Sequence, residues 1–253
     1  MIKGLYSAFT AMEAAWRYQD VLANNIANAD TAGFKREFAV QQPFEDVLLS
    51  QQAPVPAPLT ARIQQVVGQI GTGTFIAEFA TDYGQGMLRT TGNELDFALE
   101  DGFFQVETPD GTIYSTRDGR FGRDANGDLV TSHGHFVLDE NGQHINLPST
   151  RVEVAVDGAI LDQGVEIARL GILDFTPNQL IRAGEAYFQT TGEGQPPIGG
   201  PGLRQGLLEG SNSILVEEMT SLLAVQRTYQ ANQRVLAVLD GTLDQAAGQL
   251  GTL

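Results

Sequence analysis

Residues 213–250 constrain this chain more than any other stretch. Leu215, Met219, Leu222, Gln226, Tyr229, Gln233, Leu236, Asp240, Leu243, Ala247 and Leu250 follow one another in alternating steps of four and three. That spacing lays one stripe of a helix along a neighbouring helix, and Val225, Val235, Val238 and Leu239 widen the apolar surface beside it. The opposite terminus answers with Ile2, Leu5, Phe9, Met12 and Trp16 at the same spacing, continued by Ala23 and Ile26. Two such seams, separated by a domain's worth of other residues, each require a partner helix. Gln226, Gln233 and Asp240 place polar groups on the C-terminal seam, which would fix register at a cost in stability. Ser211, Asn212 and Ser213 are expected to cap the first turn of that helix, with Glu217 and Glu218 at its positive pole.

The charge divides the chain in the same places. Residues 1–40 balance four basic against four acidic groups, and residues 210–253 hold Arg227 and Arg234 against four acids. Almost all of the net charge of −16 therefore lies between the termini. Such a middle repels copies of itself, whereas near-neutral ends can be crowded together. The excess of acid also argues against nucleic acid and anionic membranes as partners. With no cysteine in 253 residues, disulfides, thiolate nucleophiles and thiolate metal sites are excluded. No apolar run reaches the roughly 18 residues of a membrane span, so an integral membrane protein is not expected. The N-terminus does not read as a secretory signal, and on composition alone the chain would be assigned to the cytoplasm.

Between the seams the pattern changes. Gly33 suits the left-handed residue that closes a helix, with Phe34 packed back on its last turn. Residues 53–58 (APVPAP) and 192–202 (GEGQPPIGGPG) read as stiff or irregular spacers. From Leu95, Phe97 and Leu99 onward the period is two, as in a half-buried strand. Turn signals at Gly102, Asp110-Gly111, Asp118-Gly119, Asn126-Gly127, His133-Gly134 and Asn141-Gly142 divide the rest into short antiparallel hairpins. The expected fold class is α+β: long terminal helices pairing as a coiled-coil-like layer around a central, mainly antiparallel β domain. The corresponding division is 1–35 plus 211–253 as the helical region, 36–70 plus 192–210 as an extended linker layer, and 71–191 as the β domain.

Signs of chemistry are weak. Asp124 to Asp128 resembles the opening of a calcium loop, but its sixth position is Leu129 and its twelfth His135, where glycine and glutamate are needed. His133 and His135 alternate on a strand with only His144 as a further histidine, which falls short of a zinc site. Glu94, Asp96, Glu100 and Asp101 invite a hydrolase reading. They fall on the polar phase of a strand, where burial would not separate their pKa values. No catalytic residue, cofactor or metal is expected.

Three runs carry a resemblance. LANNIANADTAGFK (22–35), TTGNELDFALEDGFFQVETPDGTIYSTRDGRF (90–121) and EGSNSILVEEMTSLLAVQRTYQANQRVL (209–236) resemble the bacterial flagellar rod and hook axial proteins, in order and over nearly the whole chain. The length is closer to the rod members than to the hook protein. Ser213, where an apolar residue often follows Ser-Asn, and the additional Ser115 are small departures. The resemblance implies a basal-body rod subunit that self-assembles into an axial tube, transmits torque and encloses the export channel. It also implies location in the flagellar basal body, reached without a cleaved signal peptide, in place of the cytoplasm. Partners would be copies of itself, other rod and hook subunits and the flagellar export apparatus. Carried over by motif, Asn24, Asn25, Asn28, Thr31, Gly33 and Phe34 would meet Asn212, Glu218, Met219, Gln226, Arg227, Tyr229 and Asn232 at subunit interfaces. Leu5, Phe9, Met12, Trp16, Leu222, Leu236 and Leu243 join them from the seams. A hook-type subunit, or more remotely an extracellular β-domain adhesin on a coiled-coil tether, is the alternative.

Overall fold

A computed structural model describes residues 2–45, 47–53, 63–149 and 151–250. Most of the proline-rich spacer, residues 54–58, lies outside these. The chain forms two compact units. One comprises Met1–Asn24, Glu37–Ala80 and Val216–Leu253, the other Asn25–Arg36 and Thr81–Leu215.

The first unit holds most of the two long helices, α1 (Ile2–Ala27) and α2 (Leu215–Leu250). A two-stranded antiparallel ribbon, Glu37–Pro43 with Thr74–Thr81, belongs to it, as does a second ribbon, Val47–Ala53 with Ile63–Ile70. The glycine-rich text from residue 63 is thus largely strand. A Cβ on Gly4 would lie 3.7 Å from the Leu239 side chain, so the two helices meet near the start of α1.

The covered stripe of α2 differs from the expected seam. Leu222, Val225, Tyr229, Asn232, Leu236, Leu239, Leu243 and Ala246 are half-buried, whereas Met219, Gln226, Gln233 and Asp240 are exposed. Leu222, Tyr229, Leu236 and Leu243 of the expected seam are covered, Leu215 is exposed, and between them the covered positions shift by one residue to Val225, Asn232, Leu239 and Ala246. Burying Gln226 and Asp240 would cost desolvation, and rotating the helix slightly covers the apolar Val225 and Leu239 instead, while Gln233 gives way to another amide, Asn232. On α1 the covered residues are Ala8, Ala14, Ala15, Val21 and Leu22, and the expected seam members Phe9 and Trp16 are 56% and 57% exposed. Small residues let α1 approach its neighbours closely and leave its aromatic side chains outward.

The second unit is an antiparallel β domain. Its main sheet orders Leu180–Arg182, Tyr187–Thr190, Ile113–Thr116, Phe103–Glu107, Phe136–Val137, Leu129–Thr131 and Phe121–Arg123, with Ile172–Leu173 also paired to Phe103–Glu107. Phe103–Glu107 is the hub, and Phe104 and Val106 on it are fully buried with Phe97, Phe121, Leu129 and Leu147. A smaller aromatic cluster joins Phe103, Phe175 and Phe188. Residues 95–99, expected to alternate, are buried on both faces. The stretch Arg204–Gln205 pairs with Phe97–Ala98, and Leu207–Glu209 pairs with Leu88–Thr90, so residues 203–209 are woven into the domain.

The turn signals hold with one instructive exception. Gly102, Gly111, Gly127, Gly134 and Gly142 have positive φ, as the hairpins require. Gly119 does not. A Cβ there would fall 1.9 Å from the Phe97 carbonyl oxygen, so the glycine serves a close backbone crossing. We therefore expect Gly119→Ala to force the strand at Phe97 aside and abolish the cooperative melt. Gly142→Ala, which meets open space at φ 74°, should cost only about 1–2 kcal/mol by denaturant unfolding.

Candidate functional site

The N-terminal and C-terminal motifs converge, within the second unit, on a single buried carboxylate. Glu209 ends the strand Leu207–Glu209 and is 1% exposed. Its Oε1 accepts from Lys35 Nζ at 2.5 Å and from the Gly86 amide at 2.9 Å, and its Oε2 accepts from Arg117 Nη1 at 3.2 Å. Its carbonyl accepts the Gly33 amide at 2.8 Å. Lys35, also 1% exposed, donates a second bond to the Gly84 carbonyl at 2.9 Å. Two cations share one carboxylate; Lys35 also donates to the Gly84 carbonyl and Arg117 Nη1 to the Leu99 and Glu100 carbonyls, while the buried Arg117 Nε has no hydrogen-bond partner among the described residues. Burial holds the Lys35 ammonium below the ordinary lysine value. Glu209 opposes that shift, and the charge of Arg117 adds to it.

Around this centre, Asn212 satisfies its whole side chain. Its Oδ1 accepts the Arg36 amide at 2.7 Å, and its Nδ2 donates to the Asp82 and Gly84 carbonyls at 2.7 and 3.1 Å. Arg36 Nε pairs with Asp82 at 3.1 Å, and Ser213 Oγ donates to the Asn25 carbonyl at 3.1 Å. All four ends at which the chain leaves this unit, next to Asn25, Arg36, Thr81 and Leu215, are therefore tied to one another. Phe34 is fully buried with the Arg182 guanidinium 4.5 Å above its ring, and Arg182 also donates to the Lys35 carbonyl at 2.8 Å.

Gly33 has the expected left-handed backbone, φ 67°, but α1 ends earlier, at Ala27. A Cβ at residue 33 would stand 2.3 Å from the backbone between Arg117 and Asp118. Its role is thus close approach to the β domain, not the closing of α1. Likewise Ser211, Asn212 and Ser213 do not cap α2. Ser211 Oγ accepts the Ser213 amide, and the other two side chains reach across to the N-terminal motif.

The residues expected at interfaces thus separate into two groups. Asn25, Asn28, Gly33, Phe34 and Glu218 are buried within the chain, with Thr31 and Asn212 half-buried beside them. Leu5, Met12, Leu222, Tyr229, Asn232, Leu236 and Leu243 are half-buried on the helices, and Phe9, Trp16, Asn24, Met219, Gln226 and Arg227 are exposed. Sequence reasoning did not find Glu209, Lys35 and Arg117 as a set, although a glutamate and a lysine inside both apolar-flanked terminal motifs were the available signal.

The features that suggested chemistry lead elsewhere. Asp124 Oδ1 accepts the Asn126 and Asp128 amides at 2.8 Å, and Asp139 repeats the arrangement with Asn141 and Gln143, so these carboxylates brace their own turns. The rings of His133 and His135 are neighbours at 6.1 Å, while His144 stacks on Phe136 and bonds Glu107. Among the described residues no group of three or more His, Cys, Asp or Glu is placed to hold a metal. Asp96, expected on a solvated face with Glu94, Glu100 and Asp101, is buried and accepts from Asn93 at 3.0 Å, because both faces of its strand are covered.

Comparison with known proteins gives three family matches. Residues 5–35 match the flagella basal body rod protein family, residues 100–161 the flagellar hook protein FlgE/F/G D1 domain, and residues 204–249 the flagellar basal body rod FlgEFG protein C-terminal family. The chain is 34% identical over 259 residues to the flagellar basal-body rod protein FlgG of Borreliella burgdorferi, covering 96% of this chain and 97% of that one. It is 32% identical over 263 residues to FlgG of Bacillus subtilis (97% and 98% covered). To the flagellar basal-body rod protein FlgF of Rhizobium meliloti it is 34% identical over 258 residues, 99% of each.

Two outcomes are expected from the buried centre. Glu209→Ala leaves two buried cations without a carboxylate and should destabilise the chain by about 3–5 kcal/mol in denaturant unfolding. Lys35→Met removes a charge already held at a cost and keeps the Arg117–Glu209 pair, so it should lose clearly less. Nearby, burial raises the Asp118 carboxyl above its ordinary 3.8. The folded chain then keeps that proton to higher pH than the unfolded chain, and stability falls as pH rises from 3.8 through the raised value. Asp118→Asn should remove this fall, read as a flatter dependence of melting temperature on pH across that window.

Proposed function

The chain belongs to the flagellar basal-body rod protein family, and we propose that it polymerises through its terminal helices. It is a structural subunit of the flagellar rod. Its place is the flagellum, which corrects the cytoplasmic assignment that composition alone gives. The hook-type alternative is not favoured by relatives that are rod proteins along their full length.

One observation carries the assembly reading. Each terminal helix has a covered stripe and, on its opposite side, an apolar stripe left to solvent. Tyr6, Phe9 and Trp16 on α1 are 51–57% exposed, and Val216, Met219, Leu223 and Val238 on α2 are 47–69% exposed. Aromatic and aliphatic side chains aligned in this way mark a surface that another protein covers. In a tube this second stripe would meet helices of adjacent copies. We assign the subunit interface to Phe9, Trp16, Met219, Gln226 and Arg227, and assign Asn25, Asn28, Gly33, Phe34 and Asn212 to holding the helices' roots in place within each chain. Torque would then pass through the tied joint around Glu209, and the near-neutral helical layer would line the channel. Other rod and hook subunits and the export apparatus are the further partners of this reading.

The purified chain, concentrated and imaged in negative stain, should form rods. Replacing Phe9 and Trp16 together by Ser should abolish them while leaving the melting of the chain unchanged. Rods that form equally well from that variant would move the interface elsewhere.

A further inference from the structure

The outward stripes carry charges as well as apolar groups, and their spacing is the same on both helices. On α1, Glu13 and Asp20 lie on the exposed face with Phe9 and Trp16. On α2, Arg227 and Arg234 lie on the exposed face between Leu223 and Val238. Each pair is seven residues apart, two helical turns, or about 10.5 Å along the axis. Among the described residues Asp20, Arg227 and Arg234 have no ion pair, and Glu13 has only Arg17, four residues on along the same exposed surface at 2.7 Å. Arg227 and Arg234 are the only basic residues of α2.

Direction fixes which acid meets which base. Ser213, just before α2, bonds the Asn25 carbonyl near the end of α1, and Leu239, far along α2, reaches Gly4 near its beginning. The two helices of one chain therefore run in opposite directions. Rotation about a tube axis and translation along it leave the axial direction of every helix unchanged. In such an assembly, α1 of one copy and α2 of another are antiparallel too.

Resting on the assembly reading above, we infer that α1 of one copy docks on α2 of a second copy in a single antiparallel register, with Glu13 facing Arg234 and Asp20 facing Arg227. The same register sets Phe9 against Val238 and Trp16 against Ala231, bulky side chains against small ones. Charges at the margins of an apolar helix contact select partner and register more than they add affinity. Here they decide which of several similar apolar alignments the subunits adopt.

The test uses the full chain with charges exchanged. Glu13→Arg with Asp20→Arg, and separately Arg227→Glu with Arg234→Glu, place like charges opposite each other. Each should raise the concentration needed for polymer by about tenfold or more in sedimentation assays. The chain carrying all four substitutions should recover polymer at close to the wild-type concentration. All eight positions tested or flanking are exposed, so the melting of dilute monomers should match wild type throughout and serves as the folding control. For direction, Glu13→Arg should be rescued by Arg234→Glu and not by Arg227→Glu. Paired variants that polymerise like wild type, a fourfold variant that does not recover, or rescue through Arg227 would each overturn the register while leaving the assembly reading intact. A wild-type chain that stays monomeric at every concentration would overturn both.

Discussion

The buried carboxylate of Glu209 is the interaction on which the rest depends. Taking three charges out of water costs several kcal/mol per ion, and burial accordingly holds the lysine below its ordinary value, with the charge of Arg117 adding to the shift that Glu209 opposes. Such a cluster is a poor way to gain stability. What it does well is to accept only one arrangement, since Lys35, Arg117 and the Gly33 and Gly86 amides must all reach the same residue. Asn212 repeats the logic without charge, with every polar atom of its side chain engaged. The N-terminal motif, the C-terminal motif and the β domain are thereby held in one geometry, at the roots of both long helices.

Fixed roots matter because the helices themselves are under-covered. An isolated helix gains little in water, and most helical stability comes from packing an apolar stripe. Each helix here buries one stripe within the chain and leaves another outward. Small residues on the covered face of α1 displace its aromatic groups to the opposite side, where a neighbour can use them. The acidic excess between the termini keeps the rest of the surface solvated and repels copies of itself, whereas the near-neutral ends do not.

Local chemistry accounts for the hairpins directly. Asp124 and Asp139 show one device twice, a carboxylate that accepts two amides of its own turn, followed by Asn-Gly. The same device makes the stretch look like a cation loop when read as text. Asp96 shows the converse error. The strand carrying it is covered on both faces by distant segments, 203–209 among them, which no local pattern announces.

Period and turn chemistry were therefore legible in the sequence: two long amphipathic helices, a glycine-punctuated antiparallel domain, and charge gathered between the ends. These depend on neighbours within about seven residues, and such neighbours are fixed by the chain itself. The tertiary structure decided which stripe of each helix is covered, because a rotation of one residue exchanges Gln226 for Val225 at almost no change in periodicity. It decided that Gly119 exists for a backbone crossing and Gly33 for contact with Arg117–Asp118. It also decided that Lys35, Arg117 and Glu209, separated by up to 174 residues, share one buried site. A buried charge is tolerated only where its partners converge, and convergence is a property of the fold, not of any stretch of sequence.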